Sequence, residues 1–559
     1  MGAWLLTVAG LLLLARHDGM SGFSHLDRAR ESPDLGALLR PGTARELHQS
    51  AAAFHRSQRW LANPILAPLH VVPFVGRQLR ASSHLDQAAA SSVAVAARTV
   101  DDLRALTRGP TPQGWRRVAV VRAVGRLAQR ADRSLGGIDA GSGDALIGPL
   151  DRAHRTFLQK RTEARRGLAR TERLTVGLAG FLQGPSHYLL VGANNAEMRA
   201  GSGMWLSAGT LDASGGRLDL GDVRPTDDLV LAKGAVPVTD RDLARNWSWL
   251  DPAGDFRQLA LTPRFDVTAA LAQRMWALVP GGSPVDGVVM IDVEGLRHVL
   301  RAVGPVTVDG LQYRPDNVQA QLLNRQYREP GGQRVRKDRL GAVARAAFDR
   351  LEHGSWKPET LVTELSQAAA GRHLMAWSSR TGDQGAWEAA SVDGSVQAPT
   401  LAVSLLNRGA NKLDFFLTQA VAVRTERSGR DTNLTVRVEL RNLTPSGQPP
   451  YVVGGPQAGA DLGPGEYGGI LVVNLPAAAG DVRVTGGSYP TLAGRDGPTQ
   501  AQGVFLRVAP GEATEVSIRF RLAGRHGSLV LEPTGRAPAA RWSYQDKTFR
   551  AEVRRTVRW

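Results

Sequence analysis

The chain has 559 residues, enough for about three or four domains at roughly 150 residues each. Its composition, 42% hydrophobic and 22% charged, is typical of folded globular proteins and excludes a mostly disordered chain. The absence of cysteine excludes disulfides, thiolate metal sites and cysteine nucleophiles. The net charge of +17 comes mainly from arginine, a bias typical of GC-rich genomes, so it is only weak information about binding partners.

An uncharged apolar run, Ala3 to Ala15, opens the sequence and ends abruptly at Arg16. The run is shorter than the roughly 20 residues of a membrane-spanning helix and suits the apolar region of a signal peptide better. The alternative is a buried N-terminal helix, which would normally carry a polar face. We therefore expect residues 1–16 to form a membrane anchor or signal-like helix, with the bulk of the chain outside the cytoplasm.

Residues 17–185 are predicted to be an α-helical region. Apolar residues recur three and four positions apart, as at Val118, Val121 and Val124. Up to Arg173 the sequence carries 26 basic and 14 acidic residues, so most of the positive charge lies beside the apolar start. Anionic lipid headgroups or wall polymers would be attracted to this region, but a solvated arginine-rich helix face explains the charge equally well.

Residues 186–415 are predicted to form an α/β domain. His187 to Ala193 is an apolar strand, two further strands flank a Gly-rich turn at 213–216, and the strand Val285 to Ile291 precedes a helix from Glu294 to Val303. This alternation predicts a mixed sheet covered by helices. More helices are expected at Asp316 to Tyr327, Lys337 to Leu351 and Pro358 to Ala370.

Residues 416–559 are predicted to form an antiparallel β-sandwich. Short runs separated by Gly, Pro, Asn and Ser turns alternate apolar and polar residues, as at Leu434, Val436 and Val438. We expect a fragment from about residue 420 to the end to fold by itself as this sandwich.

Three polar clusters are candidate sites, since phosphate-loop, zinc-peptidase and nucleophile-elbow signatures are missing from the sequence. They are Asn194 to Arg199 directly after a predicted strand, Arg224 to Asp228 at the end of the hairpin, and the arginine-rich stretch Arg325 to Arg339. Arginines beside carboxylates suit a phosphate group and a Mg²⁺ ion held by oxygen ligands. The alternatives are satisfied turn backbone, an internal Arg–Asp pair and a solvated loop.

Several stretches resemble a known family. His187 to Met204, Val285 to Val306, Asp316-Asn317 and Asn411 to Asp414 resemble the actinobacterial envelope proteins grouped as domain-of-unknown-function family 4012. The resemblance begins at about Leu61 and extends through the C-terminal strands. It implies an N-terminal membrane helix, a helical segment and an external α/β domain, and it implies no established activity.

A weaker resemblance of the central domain is to the LytR-CpsA-Psr phosphotransferases, which transfer polyprenyl-pyrophosphate-linked glycopolymers to peptidoglycan with a divalent ion. It implies an anion-binding set and a metal at Asp227 and Asp338. However, Asn195 stands where those enzymes carry Asp, and Gly203-Met204 replaces their next acidic position, which puts the transfer chemistry in doubt. The resemblance implies that Arg199, Arg224 and Arg328 bind pyrophosphate. Together with residues of the polar clusters, the candidate anion-binding residues are Asn195, Arg199, Arg224, Arg325, Arg328 and Arg339.

These observations predict a membrane-anchored extracytoplasmic envelope protein whose α/β domain binds an anionic component, either a polyprenyl phosphate or a glycopolymer. The alternatives are an active Mg²⁺-dependent glycopolymer phosphotransferase and a non-catalytic envelope scaffold. The expected partners are membrane lipid and a polyprenyl-linked glycopolymer or peptidoglycan. Nucleic acid is not an expected partner, because the apolar start and the lack of a reader motif count against it.

Overall fold

A computed structural model describes residues 2–30, 41–328, 333–454, 461–545, 547–550 and 553–559. The chain divides into two compact units. Unit 1 contains Met1–Pro112, Arg116–Ala179 and Lys357–Thr363, and unit 2 contains Gln113–Trp115, Gly180–Trp356 and Glu364–Trp559.

Unit 1 is helical, as predicted. Its main helices are α1 Gly2–Arg30, α2 Pro41–Leu61, α3 Ala67–Val71, α4 Pro73–Thr107, α5 Trp115–Gly136 and α6 Gly148–Gln183. The apolar stripes of α2 and α4 form one core, which contains Leu47, Phe54 and Val93. Of the helices that the structure describes, none combines the length and apolarity required to cross a bilayer.

Helix α1 continues well past the apolar run and pairs with α2. Hydroxyl groups of α2 bond to the backbone of α1, since Ser50 Oγ donates to the Gly22 carbonyl and Ser57 Oγ to the Ala15 carbonyl, both at 2.8 Å. A Cβ atom at Gly22 would lie 2.9 Å from the Phe54 ring. The small residue therefore permits the close approach of the two helices.

The first sheet of unit 2 is mixed, as predicted, with the order β3-β2-β1-β5-β8 and with β4 also paired to β2. Strand β1 is antiparallel to β2 and parallel to β5, and β8 is antiparallel to β5. The strands are β1 Ser186–Arg199, β2 Ser202–Ser214, β3 Arg217–Leu220, β4 Arg224–Pro225, β5 Gly287–Asp292 and β8 Leu374–Ser378. A separate hairpin pairs β6 Val306–Val308 with β7 Leu311–Tyr313.

The helices of this part are short to medium in length. They are α7 Arg241–Trp247, α8 Phe265–Trp276, α9 Val293–Val303, α10 Val318–Leu323, α11 Gln333–His353, α12 Pro358–Ala370 and α13 Thr381–Ala390. The predicted helix from Asp316 to Tyr327 is therefore divided into α10 and a 3₁₀ turn, Arg325–Tyr327. A last helix, α14, is Pro450–Val453.

Two six-stranded sheets form the C-terminal β-rich region. They are not wholly antiparallel as predicted, because residues 420–423 pair in parallel with 541–544 and residues 400–402 pair in parallel with 530–532. Their orders are β13-β16-β11-β10-β18-β19 and β14-β15-β12-β9-β17-β20. The strands are β9 Thr400–Asn407, β10 Leu417–Ser428, β11 Asp431–Asn442, β12 Tyr467–Pro476, β13 Gly480–Gly486, β14 Tyr489–Asp496, β15 Thr499–Val508, β16 Ala513–Ala523, β17 Ser528–Glu532, β18 Arg541–Tyr544, β19 Lys547–Arg550 and β20 Arg555–Arg558.

The region begins with β9 at Thr400, earlier than the predicted residue 416. Every residue of β9 and of its neighbour β12 is buried, so these strands lack the alternation that marks a half-exposed strand. These two strands are therefore covered on both faces. Leu405 and Val473 pack into the core of the sandwich, whereas Leu406 and Val472 pack into the core around Trp205 beneath the mixed sheet.

This double burial bears on the predicted independence of the sandwich. A fragment starting at residue 420 lacks β9, which lies between β12 and β17 in its sheet. It would also expose the face of β12 that packs against the α/β part. The structure therefore gives no support to autonomous folding of residues 420–559.

Candidate functional site

The polar cluster Asn194 to Arg199 lies within β1 rather than in a loop after it, contrary to the sequence prediction. The pairing of β1 with β2 shifts register between Asn194 and Met198, which marks an irregularity in the strand. Such bulges redirect side chains relative to the regular alternation of a strand. On the two sides of this shift the side chains have different partners: Asn195 donates to Asp292, and Arg199 donates to the Asn407 carbonyl.

Asn195 is bound in a buried network. Its Nδ2 donates to Asp292 Oδ2 at 2.7 Å and to the Gly535 carbonyl at 2.8 Å, and its Oδ1 accepts from the Val293 amide. Asp292 also accepts from Ser202 and is bonded to His373 Nδ1 at 2.7 Å. Every polar atom of the Asn195 amide group is thus engaged in joining strand ends, which is a structural role.

A cavity of about 510 Å³ lies beside the end of β1, and charged side chains make up much of its lining. Its wall comes from β1, from the loop after β9 and from segments around residues 257, 327 and 451, all within unit 2. It is lined by Asn194, Glu197, Arg199, Met204, Leu206, Thr226, Asp227, Asp255, Arg257, Gln258, Gln326, Tyr327, Leu340, Asn407, Arg408, Ala410, Lys412 and Tyr451.

Arg199 is the most deeply buried cation of the cavity, with 2% of its surface exposed. Its guanidinium donates to three backbone carbonyls, those of Met198 and Asn407 at 3.0 Å and that of Arg257 at 3.3 Å. Among the residues that the structure describes, it has no carboxylate within ion-pair distance. Burial, and after it the charge of Arg408, lower the pKa of Arg199 to about 10.

Arg408 is a second guanidinium without a described carboxylate partner at ion-pair distance. It donates weakly to Gln258 Oε1 at 3.4 Å and lies 5.9 Å from the centre of the Trp249 ring. Burial lowers its pKa below the ordinary value for arginine. By contrast, the neighbouring Arg257 is held by Asp255, with 2.7 Å between Nη2 and Oδ2.

Lys412 is buried and forms an ion pair with Glu197. Its Nζ also lies 5.1 Å from the centre of the Tyr327 ring and 4.9 Å from that of Tyr451. Burial is the largest single influence and alone would lower the pKa of Lys412, but Glu197, Tyr327 and Tyr451 together outweigh it, and the net pKa is raised. The lysine is therefore charged, and its carboxylate partner already neutralises it.

The structure brings only some of the predicted anion-binding residues into this cavity. Arg199 lines it, as does Asp227, a predicted metal ligand. Arg224 does not line it: its Nη1 donates to the Pro280 carbonyl at 2.8 Å and its guanidinium lies over the Trp276 ring. Arg199 and Arg224 thus have separate surroundings, contrary to the expectation that they share one anion.

The arginine-rich stretch is not one helix in the residues described. Arg325 and Arg328 are exposed in and just after a 3₁₀ turn, and Arg339 is half-buried in α11. None of these three is among the side chains lining the cavity. The side chain of Asp338 lies outside the described residues.

The carboxylates of the cavity do not fit the predicted Mg²⁺ site. Glu197 and Asp255 are each bound to a cation, and the third described carboxylate of the lining is Asp227. Within the described ranges, no three His, Asp or Glu side chains come together as a metal-binding group. A Mg²⁺ ion prefers several oxygen ligands, so we assign no chemistry to a metal here.

The sequence predictions missed Arg257, Arg408 and Lys412 as site residues. Arg257 and Arg408 stand in stretches without a recognisable motif, and only the fold brings them to Arg199. Lys412 carried a signal, because it is one of only six lysines and lies in the Asn411 to Asp414 stretch on which the family resemblance partly rests.

Comparison with known proteins adds one finding. No curated protein and no solved structure matches the chain significantly. The model of a family described as Protein of unknown function (DUF4012) matches residues 183–327. For this segment, which carries Glu197, Arg199 and Tyr327, the match supports the resemblance to domain-of-unknown-function family 4012.

Proposed function

We propose that the chain is a membrane-anchored extracytoplasmic envelope protein whose central cavity binds the phosphate group of an anionic envelope component, a polyprenyl phosphate or a phosphate-bearing glycopolymer. One observation carries the proposal. Arg199 and Arg408 line the same cavity, and neither has a described carboxylate partner. The other two cations of the cavity are each neutralised by a carboxylate.

Two guanidinium groups that share a cavity repel each other, and burial increases the cost of both charges. Burial lowers the pKa of both arginines, and the charge of Arg408 lowers the pKa of Arg199 further. A phosphate between them would offset the repulsion and accept the planar forked donors that guanidinium groups offer. Tyr327 and Tyr451 add ring surface to the wall, which suits the non-ionic part of a larger ligand.

The envelope location is supported by the sequence. The apolar run from Ala3 to Ala15 and the positive charge of the region after it suit attachment to an anionic membrane. The resemblances to family 4012 and to the LytR-CpsA-Psr phosphotransferases point the same way. Binding is favoured over transfer because the carboxylates Glu197 and Asp255 are occupied by cations.

Calorimetric titration of the purified full chain with inorganic pyrophosphate and with geranyl pyrophosphate tests the proposal. We expect wild type to bind both, and Arg408→Met to lose about tenfold or more in affinity, because a charged hydrogen bond contributes about 1.5–3 kcal/mol. Arg408 is the better position for substitution, since it is half-buried, whereas Arg199 supports three backbone carbonyls.

Arg224→Met is the matched control. It removes an arginine that the sequence placed in the anion site and the structure places against Trp276, so affinity should not change. Absence of binding to either compound, or an equal loss in both variants, would refute the cavity assignment. Mg²⁺-dependent release of phosphate from a lipid-linked pyrophosphate would favour the transferase alternative. Wild-type protein that binds neither compound would favour the alternative of a non-catalytic scaffold.

A further inference from the structure

Unit 1 exposes an unusual apolar segment where α3 ends and α4 begins. The five residues from Val71 to Val75, VVPFV, are all exposed; Val71 is 82% exposed and Phe74 is 60% exposed. We call this segment the apolar tip. Five successive solvent-facing apolar residues are rare in a soluble surface, where single exposed apolar residues are normal.

The backbone explains why the tip protrudes. Val72 is extended between the two helices, and the Gly76 amide donates to the Val72 carbonyl at 2.7 Å. A Cβ atom at Gly76 would lie only 2.2 Å from the carbonyl oxygen of His70, so the chain reverses in a very tight turn. The tip is therefore a tight turn made of exposed apolar residues, which suits insertion into a lipid headgroup layer.

The residues just before the tip pack against the N-terminal helix. Leu66 is fully buried in a cluster with Val8 and Leu11 of α1, and Leu69 packs against the same cluster. On α1 itself, Leu13 is 64% exposed in the stretch that makes this contact. The chain that leads into the tip is thus packed against the apolar start of the sequence.

The positive charge in the sequence around the tip favours an anionic partner. From Leu47 to Leu85 the sequence contains four arginines and no acidic residue. Arg77 and Arg80 are exposed immediately after the tip, and Arg59 is exposed before it. Apolar residues flanked by arginines match the chemistry of an anionic bilayer, with acyl chains below and phosphate headgroups above.

We propose that the apolar tip inserts into the headgroup region of an anionic membrane, as a second lipid contact beside the N-terminal apolar run. The proposal rests on the membrane location in the proposed function but not on the cavity or its ligand. It assigns to residues 71–75 a binding role that neither the predicted anchor nor the cavity includes.

The absence of cysteine permits a direct test on the full chain. Phe74→Cys, labelled with an environment-sensitive fluorophore, is mixed with phosphatidylcholine vesicles that do or do not contain phosphatidylglycerol. We expect a blue shift with the anionic vesicles that decreases at high salt. Leu278→Cys is the control, because Leu278 is 55% exposed in unit 2, away from the tip in sequence.

A second measurement is vesicle flotation of Val71→Asp/Phe74→Asp against the control Val230→Asp/Leu278→Asp. All four positions are exposed, so folding should be preserved. We expect about tenfold or more weaker binding for the tip variant only, since membrane affinity scales with inserted apolar area. Arg408→Met should leave the shift at position 74 unchanged, which separates this proposal from the cavity.

Three results would overturn the proposal. The first is wild-type protein that does not bind the anionic vesicles. The second is vesicle binding without a fluorescence shift of the label at position 74. A concentration-dependent shift at position 74 without vesicles, together with a dimer in light scattering, would show that the tip covers a second copy of the chain instead.

Discussion

Replacing Glu197 by Gln tests the electrostatics of the cavity. Glu197 is the carboxylate partner of Lys412, and Lys412 is only 4% exposed, so solvent does little to screen the pair. Removal of one member of a buried ion pair typically costs about 3–5 kcal/mol, because the other charge is left without compensation. The Tyr327 and Tyr451 rings remain near Nζ and retain roughly 0.5–2 kcal/mol of attraction each. We therefore expect Glu197→Gln to destabilise unit 2 by about 2–4 kcal/mol.

The sign of the pH dependence follows from the pKa of Lys412. In wild type the pKa of Lys412 is higher in the folded state than in the unfolded state. The protonated lysine therefore contributes its full stability below the unfolded-state pKa, and this stability is lost only as pH rises through the folded-state pKa. Without Glu197, burial dominates and should lower the pKa of the lysine. The folded variant then releases its proton before the unfolded chain does, and its stability rises with pH. The difference from wild type should be smaller near about pH 9 than near pH 7.

Urea unfolding followed by tryptophan fluorescence measures this effect, because only Trp4 and Trp60 of the 12 tryptophans lie in unit 1. Glu197→Gln/Lys412→Met should recover most of the lost stability, since no buried charge is left unpaired. Asp481→Asn, which removes a partner of the exposed Arg521, is the control and should change little. A loss below about 1 kcal/mol in Glu197→Gln, or no recovery in the double variant, would refute the reasoning.

Three further outcomes are expected. Arg264→Met should destabilise unit 2 by about 3–5 kcal/mol in urea unfolding, because Asp496 is left buried without its cation at 2.7 Å, and an unchanged midpoint would contradict this. Burial raises the pKa of Asp86 to about 6, against the hydrogen bond from Ser57, so folding favours the protonated form and stability falls as pH rises through the window between the unfolded pKa and about 6. Asp86→Asn should therefore stabilise the protein at pH 7 by about 1–3 kcal/mol, seen as a higher melting temperature of the helical signal. This gain should disappear near pH 4. A variant that is equally or less stable than wild type at pH 7 would show that burial does not penalise the carboxylate. A fragment of residues 400–559 should give more β-type circular dichroism than one of residues 420–559, because only the longer fragment contains β9, and equal spectra would show that β9 is dispensable.

The sequence by itself determined the classes of structure. Helical periodicity as at Val118, Val121 and Val124 and strand alternation as at Leu434, Val436 and Val438 depend on neighbours a few positions apart, and both were confirmed by α5 and β11. The hairpin of β2 and β3 was also predictable, because the Gly215-Gly216 turn supplies its positive φ angles locally.

Only the tertiary structure decided which polar residues meet. Strand β9 escaped prediction because it is buried on both faces, which removes the local alternation. Asn195 and Arg199 stand four positions apart, yet a register shift gives the first to the Asp292 network and the second to the cavity. Arg408 lines the same cavity as Arg199 although more than two hundred positions of sequence separate them, and it follows directly after β9. Such long-range pairing is set by the packing of sheets and is not encoded in any short window of the chain.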